Sequence, residues 1–147
     1  MRSALIVLCA LTLNASVLGR AWAAQVCAWI VESIEADGAH KFELDLSADA
    51  PVSAAVRFQG PGFMSASMGG DVIQLDPGES KSVDDEGFDV SPGDDLRFDV
   101  QLYDHPIASL DEMHDPTGKL LAGFVFQRQA GAGGRPADFA RQCKPLS

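Results

Sequence analysis

Residues 96–103 read LRFDVQLY, in which apolar and polar side chains alternate along the whole stretch. Successive side chains of a β-strand point to opposite faces, so this stretch forms a strand with one apolar and one polar face. The same alternation occurs at residues 41–47 and 52–59. Strands of this kind are typical of an antiparallel sheet that has one face on a core and the other in water.

Less regular apolar runs add further strands. Residues 26–34 contain Trp29, which we expect in the core, and residues 72–75 form a short strand. Residues 83 and 88–90 flank a predicted acidic turn at 84–87, and residues 120–126 are apolar on both faces. Asp-Gly and Pro-Gly pairs separate the runs and favour tight turns. About seven short strands predict an all-β, antiparallel, immunoglobulin-like sandwich, with a small barrel as the alternative.

The predicted sandwich domain covers residues 24–129. Residues 130–134 read AGAGG, which is typical of a flexible linker. We therefore expect residues 130–147 to form a Gly-rich linker and an irregular C-terminal tail, with one or two helical turns within residues 136–142.

The first 23 residues have the pattern of a secretory signal peptide. Arg2 gives a positive start, residues 4–17 are almost wholly apolar, and Ala21 and Ala23 occupy the two positions that signal peptidase recognises. The apolar run is shorter than the roughly 20 residues that cross a bilayer, so cleavage is favoured over a permanent anchor. The sequence thus predicts an exported protein, periplasmic or extracellular, that begins near residue 24.

Cleavage makes an acidic protein more acidic. Arg2 and Arg20 leave with the leader, so 9 basic residues remain against 21 acidic ones and the net charge falls from −10 to −12. Nucleic acids and anionic lipids attract Lys and Arg, so neither is an expected partner. A negative surface of this kind suits solubility, or a basic or amide-rich partner protein.

Two cysteines remain after cleavage. Cys9 lies in the leader, which leaves Cys27 and Cys143. An even number of cysteines in an oxidising compartment predicts a disulfide between them, with two free thiols as the alternative.

No catalytic or cofactor motif is evident. The chain lacks Gly-x-Ser-x-Gly, Cys-x-x-Cys and a phosphate-binding glycine loop, so an enzyme is not expected. His105 and His114, with Met113 and nearby carboxylates, have the donor types of a copper site. Their spacing matches no recognised motif, and we expect neither a metal nor another cofactor.

Residues 63–70, FMSASMGG, form the most unusual stretch. Phe63, Met64 and Met68 are either buried anchors of a loop or an adaptable apolar contact for a partner chain, since methionine repacks easily.

The order of these features resembles the periplasmic inhibitors of curli amyloid assembly. The resemblance covers residues 27–103: a cysteine near the mature N-terminus (Cys27), the Asp37-Gly38 turn, a strand pair that ends near Phe58, a Gly/Ser-rich connection at 60–70, and a Pro-Gly turn before the strand at 96–102. The Cys-x-Cys pair of one branch of that family is missing, and residues 104–147 are an addition. The resemblance implies an immunoglobulin-like sandwich without catalytic residues that binds an amyloid subunit transiently.

The leading hypothesis is therefore a non-enzymatic exported binding protein whose partner is a secreted protein chain. The resemblance adds a specific activity, chaperone-like inhibition of extracellular amyloid assembly. A structural or adhesive component of a surface or pilus assembly is the main alternative, followed by a periplasmic copper-binding protein. Nothing in the sequence fixes the oligomeric state.

Overall fold

A computed structural model describes residues 23–67, 71–88, 95–128 and 138–147, with the backbone alone at residues 84–88 and 138. The predicted signal peptide, Met68 and the predicted linker lie outside these residues, apart from Ala23. The described part contains nine strands and one short helix: β1 Gln25–Ile34, β2 His40–Ala48, β3 Val52–Gly60, β4 Phe63–Ala66, β5 Ile73–Leu75, β6 Ser80–Phe88, β7 Leu96–Tyr103, α1 Leu110–His114, β8 Leu120–Arg128 and β9 Asp138–Pro145.

The strands form two antiparallel sheets. The four-stranded sheet has the order β6-β2-β1-β9, and the five-stranded sheet has the order β4-β3-β7-β8, with β5 paired to the first residues of β3. The alternating apolar residues of both sheets meet in one hydrophobic core. Phe98 of β7 lies at its centre, with its ring centroid 4.9 Å from that of Phe42 on β2. The all-β, antiparallel prediction is confirmed.

The expected acidic turn at residues 84–87 is wrong. These residues lie within β6, whose backbone pairs with β2 from His40↔Phe88 to Ser47↔Ser80, with one register shift. A strand that pairs along the free edge of β2 satisfies more backbone groups than a turn would, and this outweighs the low β-propensity of aspartate and glutamate.

The expected irregular tail is also wrong for the residues that are described. The segment Asp138–Pro145 is strand β9, which pairs with β1, so the expected helical turns do not form there. Phe139 is buried in the core and contacts Phe98 and Phe126 at ring-centroid distances of 5.5 and 6.3 Å. Burial of an aromatic ring and backbone pairing with β1 together fix this segment as a strand.

Within the described residues, no helix is long and apolar enough to cross a membrane.

Candidate functional site

Trp29 lies on the outer surface of the four-stranded sheet, not in the core as the sequence suggested. Its neighbours Ala28 and Ile30 are fully buried, and strand alternation therefore turns the Trp29 side chain outward, where it is half-buried. Asp45 is its antiparallel partner on β2. The Asp45 carboxylate accepts a hydrogen bond from Trp29, which acts to lower the Asp45 pKa, but burial and the nearby Glu43 charge outweigh it and the pKa is raised.

Arg141 of β9 stacks on the Trp29 ring. The guanidinium carbon lies 4.7 Å from the ring centroid, and Nη2 donates a hydrogen bond of 2.6 Å to Ser47 Oγ on β2. The pairing register of β1 and β9 shifts between Ala28 and Ile30, and this irregularity lies beside Trp29. A cation above an indole is stabilised by about 0.5–2 kcal/mol, depending on its exposure. Arginine and tryptophan are thus held together on an outward surface.

The predicted disulfide is confirmed and fixes this arrangement. Cys27 and Cys143 are directly opposite each other on β1 and β9, with an S–S distance of 2.02 Å and a Cα–Cα distance of 4.0 Å. Cys27 is two residues from Trp29, and Cys143 is two residues from Arg141. Alternation therefore places all four side chains on the same outer surface. We call this surface, together with Val31, Asp45 and Ser47, the Trp29 surface.

Strand β9 also covers the edge of β8. Gln142 Nε2 donates to the Val125 carbonyl at 2.8 Å, Lys144 Nζ donates to the Gly123 carbonyl, and the Ser147 amide donates to the Leu121 carbonyl at 3.0 Å. These three carbonyls alternate along β8, as expected for groups that point away from its partner β7. An uncovered row of such groups is a template for pairing with another chain. Here Gln142, Lys144 and Ser147 bind these carbonyls instead.

A buried charged network joins the two sheets. Glu32 of β1 has a fully buried side chain, accepts a hydrogen bond from Arg128 of β8, and lies 2.6 Å from Nδ1 of His40 on β2. Glu32 continues the inward-facing series of Val26, Ala28 and Ile30, which explains its burial. This network was not expected from the sequence, although a glutamate at a core-facing position of a strand is a signal for a buried partner.

The candidate contacts Phe63 and Met64 lie on β4, on opposite faces. Phe63 packs on the core, with its ring centroid 5.2 Å from that of Phe58, whereas Met64 is the strand partner of Gln59 and is half-buried. The third residue, Met68, lies outside the described residues. The expected loop is wrong for residues 63–66, which form β4, although Phe63 packs against the core as an anchor would. A partner contact through Met64 stays a prediction.

The candidate copper ligand His105 is paired with a neighbouring carboxylate. His105 Nδ1 forms a 2.6 Å hydrogen bond with Asp104 Oδ1. This bond raises the pKa of His105 and lowers that of Asp104. Glu112 is tied to the Ala108 amide and to Thr117, which lowers its pKa. In the part of the chain that the structure describes, no group of three His, Cys, Asp or Glu side chains could hold a metal ion.

Sequence reasoning did not select Arg141 as a member of the Trp29 surface. It lies beyond the predicted linker, and its position depends on the pairing of β9 with β1. The even cysteine count was the available signal, because a bond from Cys27 to Cys143 brings residue 141 to the first strand.

Comparison with known proteins found no matching family model, no matching curated protein and no matching solved structure.

Proposed function

We propose that this chain is an exported, non-enzymatic binding protein that holds an extended segment of a secreted protein chain on its Trp29 surface and thereby delays amyloid assembly. The stacked pair Trp29 and Arg141 is the observation that carries the proposal. Tryptophan and arginine are the residues most enriched among energetic hot spots of protein interfaces. Here both lie on an outer sheet surface, where the core gains little from them.

The strand order supports an immunoglobulin-type sandwich. In the constant-type immunoglobulin domain, strands A, B, E and D form one sheet and strands C, F and G form the other. The adjacent strands β1, β2 and β6 correspond to A, B and E, while β3, β7 and β8 correspond to C, F and G. Strand β4 then takes the place of C′ beside C. The proposed assignment leaves β9 as an additional strand next to A.

The edges of the sheets support a role in which the protein binds aggregating chains without joining them. Side chains of β9 occupy the outward carbonyls of β8, and Lys81 Nζ donates to the Gln74 carbonyl of β5 at 3.0 Å. The edge strand β6 carries Asp84, Asp85 and Glu86 in sequence. Charged residues and covered edges oppose edge-to-edge polymerisation.

Export is part of the proposal. The first 23 residues have the pattern of a secretory leader, and the Cys27–Cys143 disulfide suits an oxidising compartment. The layout that the chain shares with the periplasmic curli inhibitors favours a secreted amyloid subunit as the partner.

A fibrillation assay tests the proposal. The mature chain, residues 24–147, is added in substoichiometric amount to a curli-type secreted amyloid subunit, and the lag time is followed by thioflavin fluorescence. We expect a longer lag with the wild-type protein and with Leu110→Ala, and a smaller effect with Trp29→Ala and Arg141→Ala. Leu110 is the matched apolar control, because it is 73% exposed on α1.

An unchanged lag time with the wild-type protein would sink the proposed activity. Equal inhibition by wild-type and Trp29→Ala proteins, both shown to be folded by circular dichroism, would move the activity away from the Trp29 surface. A stable stoichiometric complex that co-purifies with fibres would instead favour the structural or adhesive alternative.

A further inference from the structure

Trp29 and Arg141 form a ridge between two clefts of different chemistry. The cleft on one side has a volume of about 400 Å³ and is lined by polar residues that include Ser47, Asp49 and Glu79. The cleft on the other side has a volume of about 330 Å³ and is lined by Val31, Phe139 and Ala140. Both stacked residues line both clefts. We call these the acidic cleft and the apolar cleft.

The acidic cleft has carboxylates that are available to a cation. Asp49 Oδ1 accepts a hydrogen bond from the Gln25 amide at 2.7 Å, which fixes its position. Glu79 follows the Pro77-Gly78 turn before β6 and is exposed. Within the described residues, neither carboxylate forms an ion pair. A basic side chain in this cleft would therefore gain a favourable charge interaction without displacing an existing one.

The apolar cleft has no carboxylate among the residues that line it. Val31 and Ala140 form its walls beside the edge of Phe139, whose ring is otherwise buried in the core. A side chain that fills this cleft is stabilised by removal of apolar surface from water, at about 25 cal/mol per Å². An aliphatic residue suits it best.

We propose that the Trp29 surface selects an extended segment in which a basic residue and an aliphatic residue are two positions apart. In a strand, side chains at i and i+2 point the same way and are about 6.6–6.8 Å apart. The basic side chain enters the acidic cleft, the aliphatic one enters the apolar cleft, and the backbone between them crosses the ridge, where guanidinium N–H groups of Arg141 face a carbonyl. The surplus of acidic residues over the whole chain steers basic segments toward the protein. The inference rests on the proposed function for its site and names the chemistry of the segment.

Peptide titration tests this selection directly. Trp22 belongs to the predicted leader, so Trp29 is the single tryptophan of residues 24–147 and its fluorescence reports on the ridge. The probes are three short, otherwise identical Thr/Ser peptides that contain Lys-Thr-Leu, Glu-Thr-Leu or Lys-Thr-Ser. We expect saturable binding of the first peptide and, for the second, a Kd higher by about tenfold, as attraction by the two carboxylates becomes repulsion. The third peptide is also expected to bind more weakly than the first. Added salt is expected to weaken binding of the first peptide, because it screens the charge interaction.

A pair of matched variants locates the effect. Glu79→Gln is expected to reduce the preference for lysine over glutamate, whereas Glu35→Gln, an exposed glutamate in the turn at the opposite end of β1, is expected to leave it unchanged. Equal affinity for the lysine and glutamate peptides, or a fluorescence that responds to none of the three, would overturn the inference. Peptide selection without any effect on fibrillation would keep this inference and reject the proposed amyloid inhibition. Inhibition of fibrillation without peptide selection would keep the proposed amyloid inhibition and reject this inference.

Discussion

Replacement of Cys27 and Cys143 by serine is expected to lower the free energy of unfolding by about 3–5 kcal/mol. The two residues are 116 positions apart, so the bond closes a loop that includes nearly all of residues 24–147. In the chain-entropy account, a loop of this length removes about 16 cal/mol/K from the unfolded state, which corresponds to about 4.8 kcal/mol at 25 °C. Measured values for native disulfides of small secreted domains, about 2–5 kcal/mol, set the lower part of the expected range.

Urea denaturation of the mature wild-type and double-serine proteins, followed by Trp29 fluorescence and far-ultraviolet circular dichroism, measures this loss. With a slope of about 2 kcal/mol/M, the midpoint should fall by roughly 2 M. Wild-type protein reduced with dithiothreitol is the control, because it loses the same bond without a change of sequence, and its midpoint should match that of the variant. A loss below about 1 kcal/mol in both proteins would refute the reasoning, since the constraint on the unfolded chain would then be negligible.

Three further predictions concern other parts of the sandwich. Glu32→Gln should destabilise the protein by about 3 kcal/mol in urea denaturation, because the part-buried guanidinium of Arg128 then loses the fully buried carboxylate that it binds. Asp99→Asn, which breaks an exposed pair, should destabilise it much less, and similar losses would contradict the assigned burial. Asp104→Asn should lower the pKa of His105 toward 6.5 in an NMR titration, and an unchanged pKa would exclude the ion pair. In the wild-type protein, the stabilisation from this pair is lost as pH rises through the raised pKa of His105. It is also lost as pH falls through the lowered pKa of Asp104. Gly60→Ala should lower the thermal midpoint, at a cost of about 1–3 kcal/mol, because the new Cβ would clash with the rings of Phe63 and Phe98. A neutral effect would show that these rings move aside freely.

Strand β9 contributes to stability, to edge coverage and to the Trp29 surface. Cys143 and Arg141 attach β9 to β1, while Gln142 and Lys144 attach it to β8. One eight-residue strand thus stabilises the sandwich, covers an edge and completes the ridge between the two clefts. Loss of the disulfide should therefore weaken peptide binding as well as stability.

The strand pattern of the sheets could be predicted from the sequence because it depends on local alternation. The buried series Phe42, Leu44 and Leu46 and the buried series Phe98, Val100 and Leu102 follow directly from a period of two. The disulfide could be predicted from the cysteine count together with the signal-peptide pattern of the first 23 residues. These inferences need only the chain itself and the rule that a half-buried strand has one apolar face.

Strands β6 and β9 could not be predicted because their residues favour another structure locally. The acidic stretch in β6 reads as a turn, but the free edge of β2 gives its backbone partners. Strand β9 shows no clean alternation. It forms because its backbone pairs with the edge of β1, its side chains bind carbonyls of β8, and Cys143 bonds to Cys27. These partners are far away in sequence.

The sequence by itself determined that the chain is an all-β protein with two-faced strands, and it predicted a bond between Cys27 and Cys143. Only the tertiary structure decided which face of β1 became the core. Both faces of that strand are apolar, since Ala28 and Ile30 alternate with Trp29 and Val31. The local pattern therefore allowed either face of β1 to become the core face. Packing against the second sheet buried Ala28 and Ile30 together with Glu32 and its partners, and pairing with β9 then placed Arg141 over the outward Trp29.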